Sequence, residues 1–175
     1  MTPGGRGATA DGRRATADGP GATRWLDAEE QAAWRAYLEG SARLQDHVGR
    51  MLDAHGLSLA EYEILVRLSE AAESCAEGLG QVRMSELASA VVHSRSRLTH
   101  TVTRMEAGGL VQRVADPADG RGVLCRMTPA GRDLLVATAP HHVTSVREGF
   151  LDALTREEFL ALGAAMAKVA ARLRC

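Results

Sequence analysis

"HSRSRLTHTVTRMEAGGLVQR", residues His93 to Arg113, decides how the rest of the chain is read. It opens on hydroxyls with Arg95 and Arg97 among them, continues through Thr99, His100 and Arg104, and stops at Gly108 and Gly109. Projected at 100° per residue, Leu98, Val102 and Met105 fall within a sector of about 60°, which predicts one buried stripe on a helix. Arg97, His100 and Arg104 then lie on the opposite side, flanked by Ser96 and Thr103, and Ser94 is placed to cap the N-terminus. Three readings of such a helix compete: a solvated surface helix, an anion-binding enzyme site, and a helix that lies against nucleic acid.

The neighbouring residues choose between them. Just upstream, "RMSELASAV" predicts a short helix with Ser85 as N-cap and with Leu87 and Val91 facing inward. A tight turn around Val92 and His93 joins it to the opening stretch, so the pair reads as a helix-turn-helix. Downstream, in "GLVQRVADPADGRGVLCRMTPAG", Gly109 ends the helix, Leu110 to Val114 and Val123 to Met127 read as strands, and "DPADGRG" is the turn between them. The expected unit is a winged helix, which makes the chain mainly α with a small β wing.

The flanks are helical. Trp34, Leu38, Leu44, Val48 and Leu52 recur at near-helical spacing in a body that begins around Trp25 and reaches a stop near Gly56. Ser58 and Glu61 form a capping box for a second, more apolar helix, followed by the loose "ESCAEGLGQ". Behind the wing, Thr128 and Pro129 suit N-cap and first helical position, and Thr155 with Glu158 caps a last helix carrying Phe159, Leu162, Met166, Val169 and Leu173. Residues 1–23 hold 6 of the 18 glycines and the echo "RGATADG", "RRATADG" with almost no apolar content, the composition of a disordered arm. The expected division is therefore 1–23 as the arm, 24–57 as an N-terminal helix, 58–132 as the winged helix-turn-helix lobe, and 133–175 as C-terminal helices that form with the first a partner-binding layer.

Composition excludes more than it selects. A net charge of -1 over 175 residues argues against a whole-surface polyanion binder, and 45% hydrophobic content suffices for one ordinary core. No signal-like apolar region and no membrane span are readable, so the expected place is the cytoplasm, with no membrane partner. Cys75, Cys125 and Cys175 are odd in number and far apart, so reduced thiols are expected rather than a disulfide framework or zinc finger. No phosphate loop, GxSxG elbow or HExxH occurs, and adjacent His141 and His142 would point about 100° apart on a helix. Neither an enzyme, a cofactor nor a metal is expected; His47, His55 and Cys75 are the residues from which a regulatory metal site would have to be assembled.

Of the 21 basic residues only Lys168 is lysine, so arginine counts by position alone. Between Arg83 and Arg132 stand eight arginines (83, 95, 97, 104, 113, 121, 126, 132) against Glu86, Glu106, Asp116 and Asp119, a local +4 that leaves the remainder at -5. Such a face attracts phosphate where it is needed. The helix N-terminus adds free N–H groups, and arginine can grip guanine while His and Thr contact base edges more permissively. The candidate contacts to double-stranded DNA are Ser94, Arg95, Ser96, Arg97, Thr99, His100, Arg104 and, at the ribbon tip towards a minor groove, Arg121. Ser94 and Ser85 also read as plain caps, and Arg95 projects near the apolar edge, nearer to a phosphate than to a base. Trp34, Tyr37, His47 and Tyr62 offer an apolar pocket with polar handles for a small aromatic or amphipathic ligand, although such residues more often belong to a core.

Residues 25–173 resemble the MarR family of bacterial transcription regulators in the order and length of their elements. "RMSELA", "SRLTHTVTRMEAGGLVQR" and "DPADGRGVLCRMTPAGRDLL" carry the resemblance. It implies a homodimer whose first and last helices interlock, with 24–57 and 133–175 as dimerisation helices, two winged DNA-binding lobes (58–132) astride a pseudo-palindromic operator, and a repressor released by a small ligand. It also implies that Asp119 orients Arg121. The family's hydroperoxide-sensing branch has a reactive cysteine in its first helix, and residues 25–52 contain none. The alternatives are a winged-helix module for protein interaction without an operator, and a metal- or redox-responsive regulator.

Overall fold

The computed structural model of the protein describes residues 23–72, 79–91 and 95–173, with the side chains of Arg95 and Arg121 outside that description. The expected arm, the turn at Val92 to Ser94 with its Ser94 cap, Cys75 and Cys175 lie outside the described residues. The chain divides into two compact units, Met1–Glu39 and Gly40–Cys175, the boundary falling inside the first helix.

That helix, α1 (Ala28–Asp53), starts at a capping box the sequence reading did not identify. Asp27 Oδ1 accepts from the Glu30 N–H at 2.8 Å, and Glu30 Oε2 accepts from the Asp27 N–H at 3.0 Å. Two otherwise orphaned donors are thereby satisfied. In this first unit Trp25, Trp34, Tyr37 and Leu38 are exposed, and the Trp34 and Tyr37 rings stack with centroids 5.6 Å apart.

In the second unit the end of α1 buries Val48 and Leu52. Gly56, at φ 75°, turns the chain where a side chain would be strained. The Ser58–Glu61 box then starts α2 (Leu59–Ala72): Glu61 Oε2 accepts from the Ser58 N–H at 2.8 Å and from its hydroxyl at 2.7 Å. A short strand, β1 (Gln81–Arg83), runs without a break into α3 (Met84–Ala90). Two expectations are corrected here. The strand is new, too short to show alternation in the sequence. Arg83 rather than Ser85 is the N-cap of α3, with no side-chain cap bond, because β1 pairs with its neighbour up to Arg83 opposite Leu124 and the strand's end sets the helix start.

The helix α4 (Arg95–Ala107) ends as expected at Gly109, φ 72°, where the Leu110 N–H returns to the Met105 carbonyl at 2.9 Å. Strands β2 (Val111–Asp116) and β3 (Asp119–Met127) follow, and the antiparallel sheet has the order β1-β3-β2. The wing turn is tighter than "DPADGRG": pairing continues to Asp116 opposite Asp119, with an irregularity at Ala115 and Asp116. The Asp116 carboxylate makes this possible by accepting from the Ala118 N–H at 2.9 Å.

Thr128 caps α5 (Pro129–Gly149), accepting from the Gly131 N–H at 3.0 Å and donating back to the end of the α4 turn. Thr155 and Glu158 cap α6 (Arg156–Leu173) reciprocally. The core gathers Leu52, Leu57, Ile64, Leu65, Leu68, Leu87, Val91, Leu98, Val102, Met105, Val111 and Met127, all at most 2% exposed. It thus packs α2, α3, α4 and the sheet into one lobe. No residue of α6 is buried, and Leu160, Leu162, Met166, Val169 and Leu173 remain exposed.

Candidate nucleic-acid interface

The core seats α4 by its apolar stripe: Leu98 is 2% exposed, Val102 0% and Met105 1%. A helix held only along one stripe can still roll about its axis. Both flanks of α4 are therefore decisive, and both are tied by charge-assisted bonds.

On the wing side, β2 supplies Arg113. Its backbone N–H donates to Glu106 Oε1 at 2.8 Å and its guanidinium pairs with the same carboxylate. The Arg113 Nη2 group also donates to the Thr99 carbonyl at 3.1 Å and to the Thr103 hydroxyl at 2.9 Å. The Arg113 backbone N–H lowers the Glu106 pKa most; burial opposes it, and the Arg113 guanidinium adds to the lowering, so the carboxyl lies below its ordinary value.

On the opposite side, Arg104 Nε donates to Glu61 Oε1 at 2.9 Å. Burial pushes the Glu61 carboxyl up, but the Ser58 donors and the Arg104 guanidinium outweigh it and the pKa lies below the ordinary value. The Arg104 side chain stays 65% exposed. One carboxylate thus caps α2 and holds the flank of α4.

What remains outward on α4 is a polar line. Ser96, Arg97, Thr99, His100, Thr103 and Arg104 are all exposed. Of the other expected contacts, Ser94 lies outside the described residues. Arg95 is the first residue of α4 and Arg121 lies on β3.

The wing is anchored in its turn. Arg83 Nη2 pairs with Asp116 Oδ2 at 2.6 Å, and its Nη1 reaches Asp119 Oδ2 at 3.5 Å. With the Asp116 side chain only 6% exposed, Arg83 supplies the charge that its burial requires. Asp119, expected to orient Arg121, reaches Arg83 of β1, while the Arg121 side chain lies outside the described residues. Arg83, Arg104 and Arg113 are all in ion pairs within the lobe and Arg126 donates to Gln81 at 3.0 Å, so the local surplus counted from sequence overstates the charge open to a polyanion.

Sequence reasoning missed Glu61, Glu106, Arg113, Arg83 and Asp116 as determinants of this surface. The pairs join different elements, and no helical or strand spacing marks them.

The four residues proposed for a ligand fall in two places. Trp34 and Tyr37 form the exposed stacked pair of the first unit. In the second unit, Tyr62 is 6% exposed and packs on His142, centroids 4.4 Å apart, while His47 Nε2 meets the Ser145 carbonyl at 3.2 Å. Both therefore face α5, where Gly149 leaves room for the His47 ring: a Cβ there would meet His47 Cδ2 at 2.7 Å. Along that side of α5, the Thr138 hydroxyl, His142 Nδ1 and the Ser145 hydroxyl are buried with no hydrogen-bond partner among the described residues. Burial lowers the His142 pKa and raises that of Tyr62.

The Cys125 thiol is buried in β3, and burial pushes its pKa up to about 11, the opposite of what a reactive thiolate requires. Among the described residues no cluster of His, Cys, Asp or Glu is placed to hold a metal ion, and no helix is long and apolar enough to cross a membrane.

Known proteins are similar to this chain in sequence and fold. The MarR family profile matches residues 55–122, the span from the end of α1 to the wing. AbsC, a MarR family transcriptional regulator from Streptomyces coelicolor, is 42% identical with a TM-score of 0.78 over 87% of this chain and 99% of its own. Sco3205, a MarR family transcriptional regulator of the same organism solved in complex with DNA, is 38% identical with a TM-score of 0.80, covering 89% of this chain and 94% of its own. The transcriptional regulator HosA from Escherichia coli O111:H- is 40% identical over 46% of this chain; the match spans 57% of HosA. Identity of this level across almost the whole of two solved regulators, with the same winged lobe around α4, means that the chain belongs to the MarR family.

Proposed function

We propose that the protein is a sequence-specific DNA-binding transcriptional regulator, a homodimeric repressor of a pseudo-palindromic operator, with α4 in the major groove and the wing at the flanking minor groove. The observation that carries the reading is the double tether of α4. Arg113 and Glu61 hold opposite flanks of a helix whose third side is core, and Ser96, His100 and Thr103 are left outward at a defined angle. Fixing a polar helix face at one angle serves base reading, which requires donors and acceptors in register with base edges. The structure of Sco3205 with DNA supports the same reading by likeness.

Dimerisation is supported by α6, whose apolar residues Leu160, Leu162, Met166, Val169 and Leu173 are exposed. Ligand release is supported by α5. Thr138, His142 and Ser145, buried along α5 with polar atoms unpartnered among the described residues, are unmet hydrogen-bonding capacity near the Tyr62 ring that packs on His142, which a small aromatic or amphipathic molecule would satisfy.

Selection of bound fragments from random DNA at stated salt tests the proposal. The expected result is a two-fold symmetric site with half-site centres about 10 base pairs apart. Recovery of no preferred sequence overturns it in favour of a winged-helix interaction module.

A further inference from the structure

We infer that Thr103 is a specificity-determining residue that reads the 5-methyl group of a thymine through its own γ-methyl. The inference deepens the DNA-binding proposal and rests on it.

The argument is one of hydrogen-bond valence. A threonine hydroxyl has one proton to donate and two lone pairs. The Thr103 hydroxyl donates to the Thr99 carbonyl at 2.8 Å, one turn back along α4, and accepts from Arg113 Nη2 at 2.9 Å. Its proton is committed, so it has none for guanine O6 or N7, for thymine O4 or for a phosphate. Two partners on the inner side also hold the side chain in one rotamer. Thr103 is nonetheless exposed, and beyond one lone pair open to a base amino group the γ-methyl is the group it can offer to an apolar partner.

The position suits that role. At 100° per residue, Thr103 and His100 project roughly opposite the stripe of Leu98, Val102 and Met105, the side of α4 furthest from the core. In the major groove only thymine presents a methyl group, and apolar contact with it is a recognised mode of reading. Arg113, which lies on the wing strand and touches Thr103 from the flank, is then a positioning residue for this contact. Its guanidinium fixes the hydroxyl, and the hydroxyl fixes the methyl.

The test changes the DNA before the protein. Once the operator is defined, each thymine is replaced singly by deoxyuridine, which keeps the hydrogen-bonding edge and lacks only the methyl. Binding is measured at one salt concentration for the wild-type protein, Thr103→Ser and Thr103→Val. The wild type should lose about fourfold at one thymine per half-site, the effect of one methyl group removed from contact. Thr103→Val keeps the methyl and should keep that sensitivity. Thr103→Ser keeps the hydroxyl and should bind thymine and deoxyuridine equally there.

Wild-type binding indifferent to every deoxyuridine, an operator with no thymine within reach of α4, or a Thr103→Ser protein as sensitive as the wild type would each overturn the inference while leaving the DNA-binding proposal intact. A protein that selects no DNA sequence overturns both.

Discussion

Arg104 and Glu61, 43 residues apart, meet at 2.9 Å where the flank of α4 touches the first turn of α2. Because Glu61 also receives the Ser58 N–H and hydroxyl, one carboxylate both starts a core helix and sets the roll of the outward one.

That double duty gives a pH dependence. The folded-state pKa of Glu61 is depressed, so its contribution is present above the unfolded carboxylate value of 4.5 and is lost as pH falls through the lower folded value. Glu61→Ala should lower stability by about 1–2 kcal/mol through loss of the cap. Chemical denaturation from pH 7 to pH 3 should show a shallower acid decline in this variant; an unchanged slope would refute the assignment.

A second window belongs to His142. Burial lowers its folded pKa below 6.5, so the unfolded chain binds the proton more readily. Stability should fall as pH drops below about 6.5 and until the folded pKa is passed, well before Glu61 responds. His142→Phe, which keeps the ring against Tyr62, should flatten that portion of the curve. NMR titration of the wild type should give His142 the lower midpoint relative to an unfolded reference.

For Cys125, a thiol pushed up to about 11 and fully buried should resist alkylation in the native protein at pH 8. Mass spectrometry after iodoacetamide should find it unmodified unless denaturant is added. Rapid native labelling would reopen a redox role for this residue.

On DNA, Arg97→Ala should weaken operator binding by about 1–3 kcal/mol and relax the preference at one position per half-site. Arg121→Ala should weaken all sequences more evenly, lower the salt slope by about one unit and alter preference mainly in A/T-rich flanks. Binding of each variant to single-base operator mutants at two salt concentrations separates the two patterns. Identical, uniform losses would mean that α4 grips only phosphate.

Placing a charge on α6 tests the dimer. Met166→Glu should convert a species of about twice the chain mass into one of chain mass in sedimentation at micromolar concentration, since an apolar face would then have to bury a carboxylate. A wild-type protein already at chain mass, folded and stable, would contradict the homodimer.

Much of this protein was legible in its residues because the signals were local. Leu98, Val102 and Met105 had to share a face, since 3.6 residues per turn leaves no choice once a helix forms. Ser58 with Glu61, Thr128 with Pro129, and Thr155 with Glu158 announce helix starts because a cap bonds within its own first turn. What lay beyond reach was the choice among partners far apart in the chain. Ser85 and Arg83 both stood at the mouth of α3, and only the pairing of β1 with β3, some forty residues on, made Arg83 the cap. Eight arginines looked alike as charges, yet packing brought Arg104 to Glu61, Arg113 to Glu106 and Thr103, and Arg83 to Asp116. Those pairings depend on how close the folded elements come, since a charge-assisted bond needs contact within about 3 Å and no sequence spacing encodes that distance.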